Sequence, residues 1–238
     1  MHKISVIGGC GNMSKAIING MMTKGLVKPN QVIISDVNKQ DYPSFKLKGI
    51  STVDSNLTAV AESNIIILAV KPQIVPDIIN ELKDVNLKNH LILSIVAGVP
   101  IEYYKDKLDI TNFVRVMPNM PSMINQGMSA WYPYNCSNED LITTREILSS
   151  IGNELQLEQE SDIDIATAIS GSGPSYLFLL AESMIDSGVH LGLTRTKSRY
   201  LVLNTLLGSS KYLCDNKYKD KSISEMKNEI TSPGGTTA

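Results

Sequence analysis

Short runs of β-branched and aliphatic residues, Ile4–Ile7, Val32–Ile34, Ile65–Val70, Leu91–Ile95 and Val114–Met117, recur through the first two thirds of the chain. Segments that suit helices lie between most of them: Met13–Lys24, stopped by Gly25 and then Pro29, Gln73–Lys83, and Glu139–Ser150. The runs are apolar on both faces, and a strand of that kind belongs inside a parallel sheet covered by helices on either side. A Rossmann-like parallel-sheet domain over residues 1–159 is the expectation.

After Glu160 the strand signals stop and helical spacing takes over. Residues 160–238 are therefore expected to form an all-helical domain. Ser161 and Asp164 have the spacing of a capping box that opens its first helix. Leu177, Leu180, Ala181 and Met184 follow i, i+3, i+4, i+7, with Pro174 tolerated at the helix start. A third helix near Thr196–Leu213 is apolar on several sides through Leu201, Val202, Leu203, Leu206 and Leu207. So short a domain cannot cover all of these, which predicts packing against a second subunit.

Two glycine turns interrupt this helical pattern. Thr167 to Tyr176 reads TAISGSGPSY, and Ser232 to Thr237 reads SPGGTT. Glycine inside a helix costs about 1 kcal/mol against alanine, so paired glycines imply that something approaches the backbone closely. A plain helix connection is the alternative for either turn taken alone.

The first strand runs straight into Gly8-Gly9-Cys10-Gly11-Asn12-Met13-Ser14. Gly9-x-Gly11-x-x-Ser14 is the dinucleotide fingerprint with serine in place of its third glycine, in the required setting between strand and helix. Gly9 would allow the tight turn and Gly11 the approach of a pyrophosphate onto the helix N-terminus. Asp36 closes the second strand, where an acid accepts hydrogen bonds from ribose hydroxyls and repels a 2′-phosphate. Lys39 lies near enough to reverse that preference, so the choice between NADH and NADPH stays open. Ala69, Val70, Lys71 and Pro72 end the third run and face the ligand crevice of such a sheet. Asn119, bracketed by Pro118 and Pro121, aims either a side-chain amide at the reacting ring or only shapes its loop.

Composition narrows the class. Lys plus Arg number 22 against 24 for Asp plus Glu, a net charge of −2, which leaves no field to recruit nucleic acid or an anionic membrane. Cys10, Cys136 and Cys214 are odd in number and lack ligand spacing, as do His2, His90 and His190, so no metal site is expected and a cytoplasmic setting suits the thiols. The apolar run Ile65–Val70 is far below the ~18 residues of a bilayer span.

Together, GCGNMSKAI at 9–17, AVKPQ at 69–73, AGV at 97–99, RVMPNMP at 115–121, ISGSGPSY at 169–176, GL at 192–193 and SPGGTT at 232–237 resemble the pyrroline-5-carboxylate reductase family over nearly the whole chain. The resemblance implies hydride transfer from NADPH, with NADH as the alternative, to the C=N bond of 1-pyrroline-5-carboxylate, giving proline in a homodimer or larger homo-oligomer. It implies that Gly9, Cys10, Gly11, Asn12 and Met13 cradle the pyrophosphate, and that Asn56, Ala69 to Pro72, Ile95, Val96 and Ala97 line the cofactor cleft. Ser232, Gly234, Gly235, Thr236 and Thr237 would hold the substrate, with Thr237 at the ring nitrogen and Glu160 nearby. Tyr176 is read as a packing residue before a proton donor.

The chain departs from the family at the extra Gly8, at Met120 in place of the usual threonine, and at its stop at Ala238, before the long helix with which family members continue. Weaker folding and turnover are expected on that last account. The rival readings are a methyltransferase, disfavoured because Ser5, Val6 and Ile7 supply no acid to the first strand, a dinucleotide-binding module without catalysis, and a reductase of another cyclic imine.

Overall fold

The computed structural model describes residues 3–236; His2 and Thr237 lie outside the described residues. The chain divides into two compact units, Met1–Pro174 and Ser175–Ala238. The division falls later than the change of composition at residue 160, because the intervening segment is bonded to the sheet.

In the first unit β1 (Ile4–Ile7), α1 (Asn12–Thr23), β2 (Val32–Ser35), α2 (Tyr42–Leu47), β3 (Ser51–Val53), α3 (Asn56–Ala61), β4 (Ile65–Leu68), α4 (Val75–Leu82), β5 (Leu91–Ser94), α5 (Ile101–Lys105) and β6 (Asn112–Met117) alternate in sequence. They are followed by β7 (Gly127–Tyr134), α6 (Asn138–Ser149), β8 (Gly152–Gln156) and α7 (Asp162–Ala166). The sheet order is β3-β2-β1-β4-β5-β6-β7-β8, parallel throughout except for the β6–β7 pair. The chain winds outward from β1 through β2 in one direction and through β4 in the other, so the strand order reverses between β1 and β4. Such a switch point opens a crevice at the carboxyl ends of the strands.

The two-faced strands read from sequence divide their side chains as a pleat requires. Val6, Ile65, Ile67, Leu91 and Leu93 enter one core with Ile17, Ile18, Met21 and Trp131. Ile7, Ile66, Leu68 and Ile92 enter the other with Ile78, Leu82, Tyr104 and Phe113. Strand ends differ from expectation by a residue or two: β4 stops at Leu68, because Ala69 and Val70 already turn toward the crevice, and β5 stops at Ser94. β3, β7 and β8 carry no clear apolar run. β3 is short and at least partly exposed, and β8 is largely exposed along one edge.

The capping box expected at Ser161 does not form. Ser161 is itself helical in backbone and caps nothing, while the Asp164 carboxylate accepts from Arg115 Nη2 at 2.7 Å. After α7 the helix widens into a π-helical turn over Thr167–Gly171, closed by Ser172 N–H donating to Thr167 O at 2.8 Å. This is the interruption visible in the sequence at TAISG, and single π turns of this sort occur mostly at functional sites.

Helix α8 (Gly173–His190) leads into the second unit, where α9 (Arg195–Leu213) and α10 (Ile223–Ile230) follow. Thr194 and Ser222 cap α9 and α10, each accepting from a backbone N–H three residues on. The apolar spacing on α8 and α9 does not produce a core within one chain. Ala181 and Val202 are buried, but Leu177, Leu180, Leu201 and Leu207 are exposed, as is Tyr176, which was expected to pack. A single copy thus leaves extended apolar helix faces in water.

Candidate active site

The turn after β1 is built by its glycines, with roles shifted by one residue from the expectation. Gly8, not Gly9, takes the left-handed conformation that makes the tight turn, at φ +82°, and a Cβ there would lie 2.6 Å from Ala69 O. At Gly9 a Cβ would meet Ile34 Cγ2 at 2.4 Å, so this glycine serves the packing of the loop on β2. Gly11 differs from both. A Cβ there would touch only Gly8 O and Ser14 Oγ, at an ordinary 3.5 Å, so nothing in the protein demands glycine. What its missing side chain leaves open is the approach to the amino end of α1.

That helix end suits an anion. Gly11 is its N-cap and offers no side chain to satisfy the first N–H groups, and the first turn holds no acidic residue. Ser14, at the third fingerprint position, is 1% exposed, and its hydroxyl donates to Gly8 O at 2.6 Å. The serine that replaces glycine therefore braces the loop from below.

A cleft of about 440 Å³ opens at the switch point, between the turn after β1, the end of β2 and the loop after β4. Of the residues expected at the cofactor, Cys10, Gly11, Asp36, Asn56, Ala69, Val70 and Lys71 line it. Gly9, Asn12, Met13, Pro72, Ile95, Val96, Ala97 and Asn119 do not line this hollow. Pro72 opens the turn ahead of α4, and Ile95 to Ala97 follow β5, where Ile95 N–H donates to Leu68 O at 3.0 Å.

Asp36 is tied into the loop. Its Oδ2 accepts from Cys10 N–H and its Oδ1 from Asn38 N–H, both at 2.8 Å. Tyr42 holds the same corner, its hydroxyl accepting from Asp36 N–H and lying within bonding distance of Asp36 O and Val53 O. Burial first, then the Asp36 and Asp41 carboxylates, push the Cys10 thiol up to about 11, so it stays protonated at neutral pH and is no nucleophile.

Asn119 has both ends of its amide occupied by the protein. Nδ2 donates to Ser170 O at 3.1 Å, and Oδ1 accepts from Met128 N–H at 2.9 Å. It pins the loop after β6 to the π turn, where a Cβ on Gly171 would come 2.8 Å from Met117 Cε. Glu160 is likewise engaged: its Oε1 accepts from Arg115 Nη1 at 3.1 Å and from Ile101 N–H at 2.8 Å. Arg115, 4% exposed, was not singled out in the sequence. An arginine inside a strand buried on both faces was the signal that a partner had to exist.

In the second unit the SPGGTT segment follows α10. Gly235 N–H donates to Ser232 O at 2.9 Å, with Pro233 and then Gly234, at φ +72°, in the central positions. Proline followed by a left-handed glycine is the sequence of a type II turn. A Cβ on Gly235 would fall 2.6 Å from Ser232 Oγ, so the serine folds back over this glycine. Thr237 is beyond the described residues.

With this geometry in hand, comparison with known proteins is decisive. The family model described as pyrroline-5-carboxylate reductase dimerisation matches residues 160–238, and one described as NADP oxidoreductase coenzyme F420-dependent matches residues 3–98. A pyrroline-5-carboxylate reductase of Methanosarcina acetivorans is 37% identical over 239 aligned positions, which cover 99% of this chain and 87% of the relative. The chain belongs to the pyrroline-5-carboxylate reductase family. Solved structures agree. The enzyme of Coxiella burnetii superposes with a TM-score of 0.89 at 29% identity, over 99% of this chain and 87% of that one. The Plasmodium falciparum pyrroline carboxylate reductase, solved with NADP bound, gives 0.87 at 32% identity over 99% and 86%.

Proposed function

We propose that the protein is a pyrroline-5-carboxylate reductase that uses a reduced nicotinamide dinucleotide, NADPH or NADH, to convert 1-pyrroline-5-carboxylate to proline. The observation that carries the reading is the cleft at the β1/β4 switch point, lined by Gly8, Cys10 and Gly11 of the turn that leads into α1, in a chain of this family.

When bound, the nicotinamide supplies the hydride that reduces the imine carbon. The protein's part is orientation. Gly11 lets a pyrophosphate reach the N–H groups of α1, while Asp36 and Asn56 flank the cleft and Ala69 to Lys71 form its wall. Asn119 holds the loop after β6 against the π turn and so fixes that loop in place. For the substrate we assign the Ser232–Gly235 turn to the carboxylate through backbone N–H groups, and Thr236 and Thr237 to the ring, Thr237 at the nitrogen. If the substrate enters as the iminium, no strong general acid is needed. Glu160, engaged by Arg115, acts as a support for the site.

The apolar faces of α8 and α9 suit a second copy of the chain, and a homodimer is the assembly we assign. Sedimentation as a monomer at micromolar concentration would count against it. Among the described residues no helix is long and apolar enough to cross a membrane, and the cysteines are unpaired, so the cytoplasm is the setting proposed. The deciding assay follows NADPH and NADH absorbance with pyrroline-5-carboxylate. Substrate-dependent oxidation that is lost in Thr237→Ala supports a reductase; dinucleotide binding without turnover leaves only a binding module.

A further inference from the structure

We infer that Glu160 and Arg115 are positioning residues of the reduction, acting through the loop after β5. The inference rests on the reductase reading and concerns the part of the site that would meet the reacting ring. In a sheet of order β3-β2-β1-β4-β5-β6 the two halves of a dinucleotide lie to either side of the switch point. With Asp36 at the end of β2 on the adenosine side, the nicotinamide half falls to the ends of β4, β5 and β6.

The loop after β5, Ile95 to Pro100, leaves the sheet at that place and is fastened near both ends. At its start Ile95 N–H donates to Leu68 O at 3.0 Å, and Val96 N–H to Ser94 Oγ at 3.4 Å. At its close Ile101 N–H donates to Glu160 Oε1 at 2.8 Å. Between them Ala97 and Gly98 are exposed, and a Cβ on Gly98, at φ +71°, would meet nothing within 4 Å. The tip therefore takes its place from the anchors.

The second anchor comes from far along the chain. Pro100, the residue before α5, offers no side-chain cap to Ile101 N–H, and Glu160 supplies the acceptor instead. Glu160 is set in turn by Arg115 Nη1 at 3.1 Å, from the position of β6 that pairs with Ser94 of β5. Arg115 Nη2 holds Asp164 of α7, the helix that widens into the π turn. One guanidinium thus sets the loop after β5 and the start of the π turn relative to each other.

Stability alone does not account for this arginine. Its Nε is buried without a partner, and a packed apolar side chain is often no less stable than a buried ion pair. What an apolar residue cannot do is hold the carboxylates of Glu160 and Asp164 in fixed places beside the end of β5. A displacement of about 1 Å at reacting groups costs on the order of a hundredfold in rate, so the clasp acts on turnover rather than on binding.

The test sets Glu160→Ala and Glu160→Gln beside the unaltered protein in steady-state kinetics, fluorescence titration with NADPH, and amide hydrogen exchange of the free protein. Glu160→Ala should lower kcat at least tenfold, with KM for pyrroline-5-carboxylate and NADPH affinity kept within about threefold. Without any dinucleotide present, Ile101 N–H should exchange at least tenfold faster in that variant while β1 and β2 stay protected. Glu160→Gln, which keeps an oxygen for Ile101 N–H, should recover most of the lost kcat. Arg115→Lys, which keeps the charge without the forked donors, should lower kcat in the same manner, and the Glu160 pair decides if that variant folds poorly. Unchanged exchange at Ile101 in Glu160→Ala overturns the inference, as does a loss that falls on KM or NADPH affinity in place of kcat; both leave the reductase reading intact. A glutamine variant as impaired as the alanine one overturns it too, by placing the need on charge. An unaltered protein that binds NADPH without turnover removes the reductase reading and this inference with it.

Discussion

Arg115 reaches from the middle of β6 to the carboxylate of Glu160, Nη1 to Oε1 at 3.1 Å, and so fastens the sheet to the segment that becomes α7. The same guanidinium holds Asp164 through Nη2. This double grip explains why residues 160–174 fold with the dinucleotide unit although their composition is that of the helices that follow. The arginine side chain is 5% exposed, that of Glu160 26% and that of Asp164 70%, so the two pairs differ in worth.

Removing Arg115 should therefore cost far more than removing Asp164. Arg115→Ala strips a buried charge of its strand position and leaves Glu160 with Ile101 N–H alone, for an expected loss of about 3 kcal/mol. Asp164→Ala should cost less than about 1 kcal/mol, because that carboxylate is mostly in water. Urea unfolding of both variants, with the double variant to close the cycle, checks the order.

The two glycines of the first turn separate folding from binding. Gly8→Ala forces an unfavourable φ and a clash with Ala69 O, and should lower both thermal stability and dinucleotide affinity. Gly11→Ala meets only ordinary contacts inside the protein, so its melting temperature should stay within a few degrees of the unaltered chain. Its added methyl faces the helix end where a pyrophosphate would sit, and dinucleotide affinity should fall at least tenfold. A Gly11→Ala protein that binds normally would remove the cradle from the argument.

How far the sequence reached follows from what each element had to bury. β1, β4 and β5 are covered on both faces, and their unbroken aliphatic runs marked them. β7 and β8 are paired at one edge of the sheet, β8 largely exposed and β7 only half buried, so Met128 to Tyr134 and Asn153 to Gln156 carry no such run and passed as connections. The cleft was legible because glycine spacing and strand ends are local. The partners of Asn119, Glu160 and Asp36 were not, because each side chain is claimed by a backbone or charged group far along the chain: Ser170, Arg115 and Cys10. The glycine register was misplaced by one because Gly8 and Gly9 are indistinguishable by type, and only their neighbours, Ala69 and Ile34, assign the turn and the packing role.

The thiols of buried Cys10 and partly buried Cys136 predict an alkaline limit to stability. Burial is the first cause that raises both Cys10 and Cys136 from the ordinary 9.0 to about 11, with neighbouring carboxylates adding to it. Between those values the unfolded chain releases thiol protons that the folded chain keeps, so the folded state holds more protons and stability falls as pH rises. The contribution is complete below pH 9 and is lost by about pH 11. Unfolding free energies measured across that window should fall less steeply in the Cys10→Ser, Cys136→Ser double variant. An identical slope would place the alkaline loss on other groups.

The turn after α10 offers a probe of substrate binding. A methyl at Gly235 would press on Ser232 Oγ and Ser232 O, at 2.6 and 3.1 Å, and must push the serine aside or open the turn. If backbone N–H groups of this turn hold the substrate carboxylate, Gly235→Ala should raise KM for pyrroline-5-carboxylate at least tenfold. Dinucleotide affinity should remain within about twofold, since Gly235 is not among the residues that line the cleft. Steady-state kinetics with the imine varied, set beside fluorescence titration of the same protein, reads both quantities. A lowered kcat with KM unchanged would instead place the turn's influence on the reacting geometry, and an unaltered enzyme would remove the turn from the substrate site.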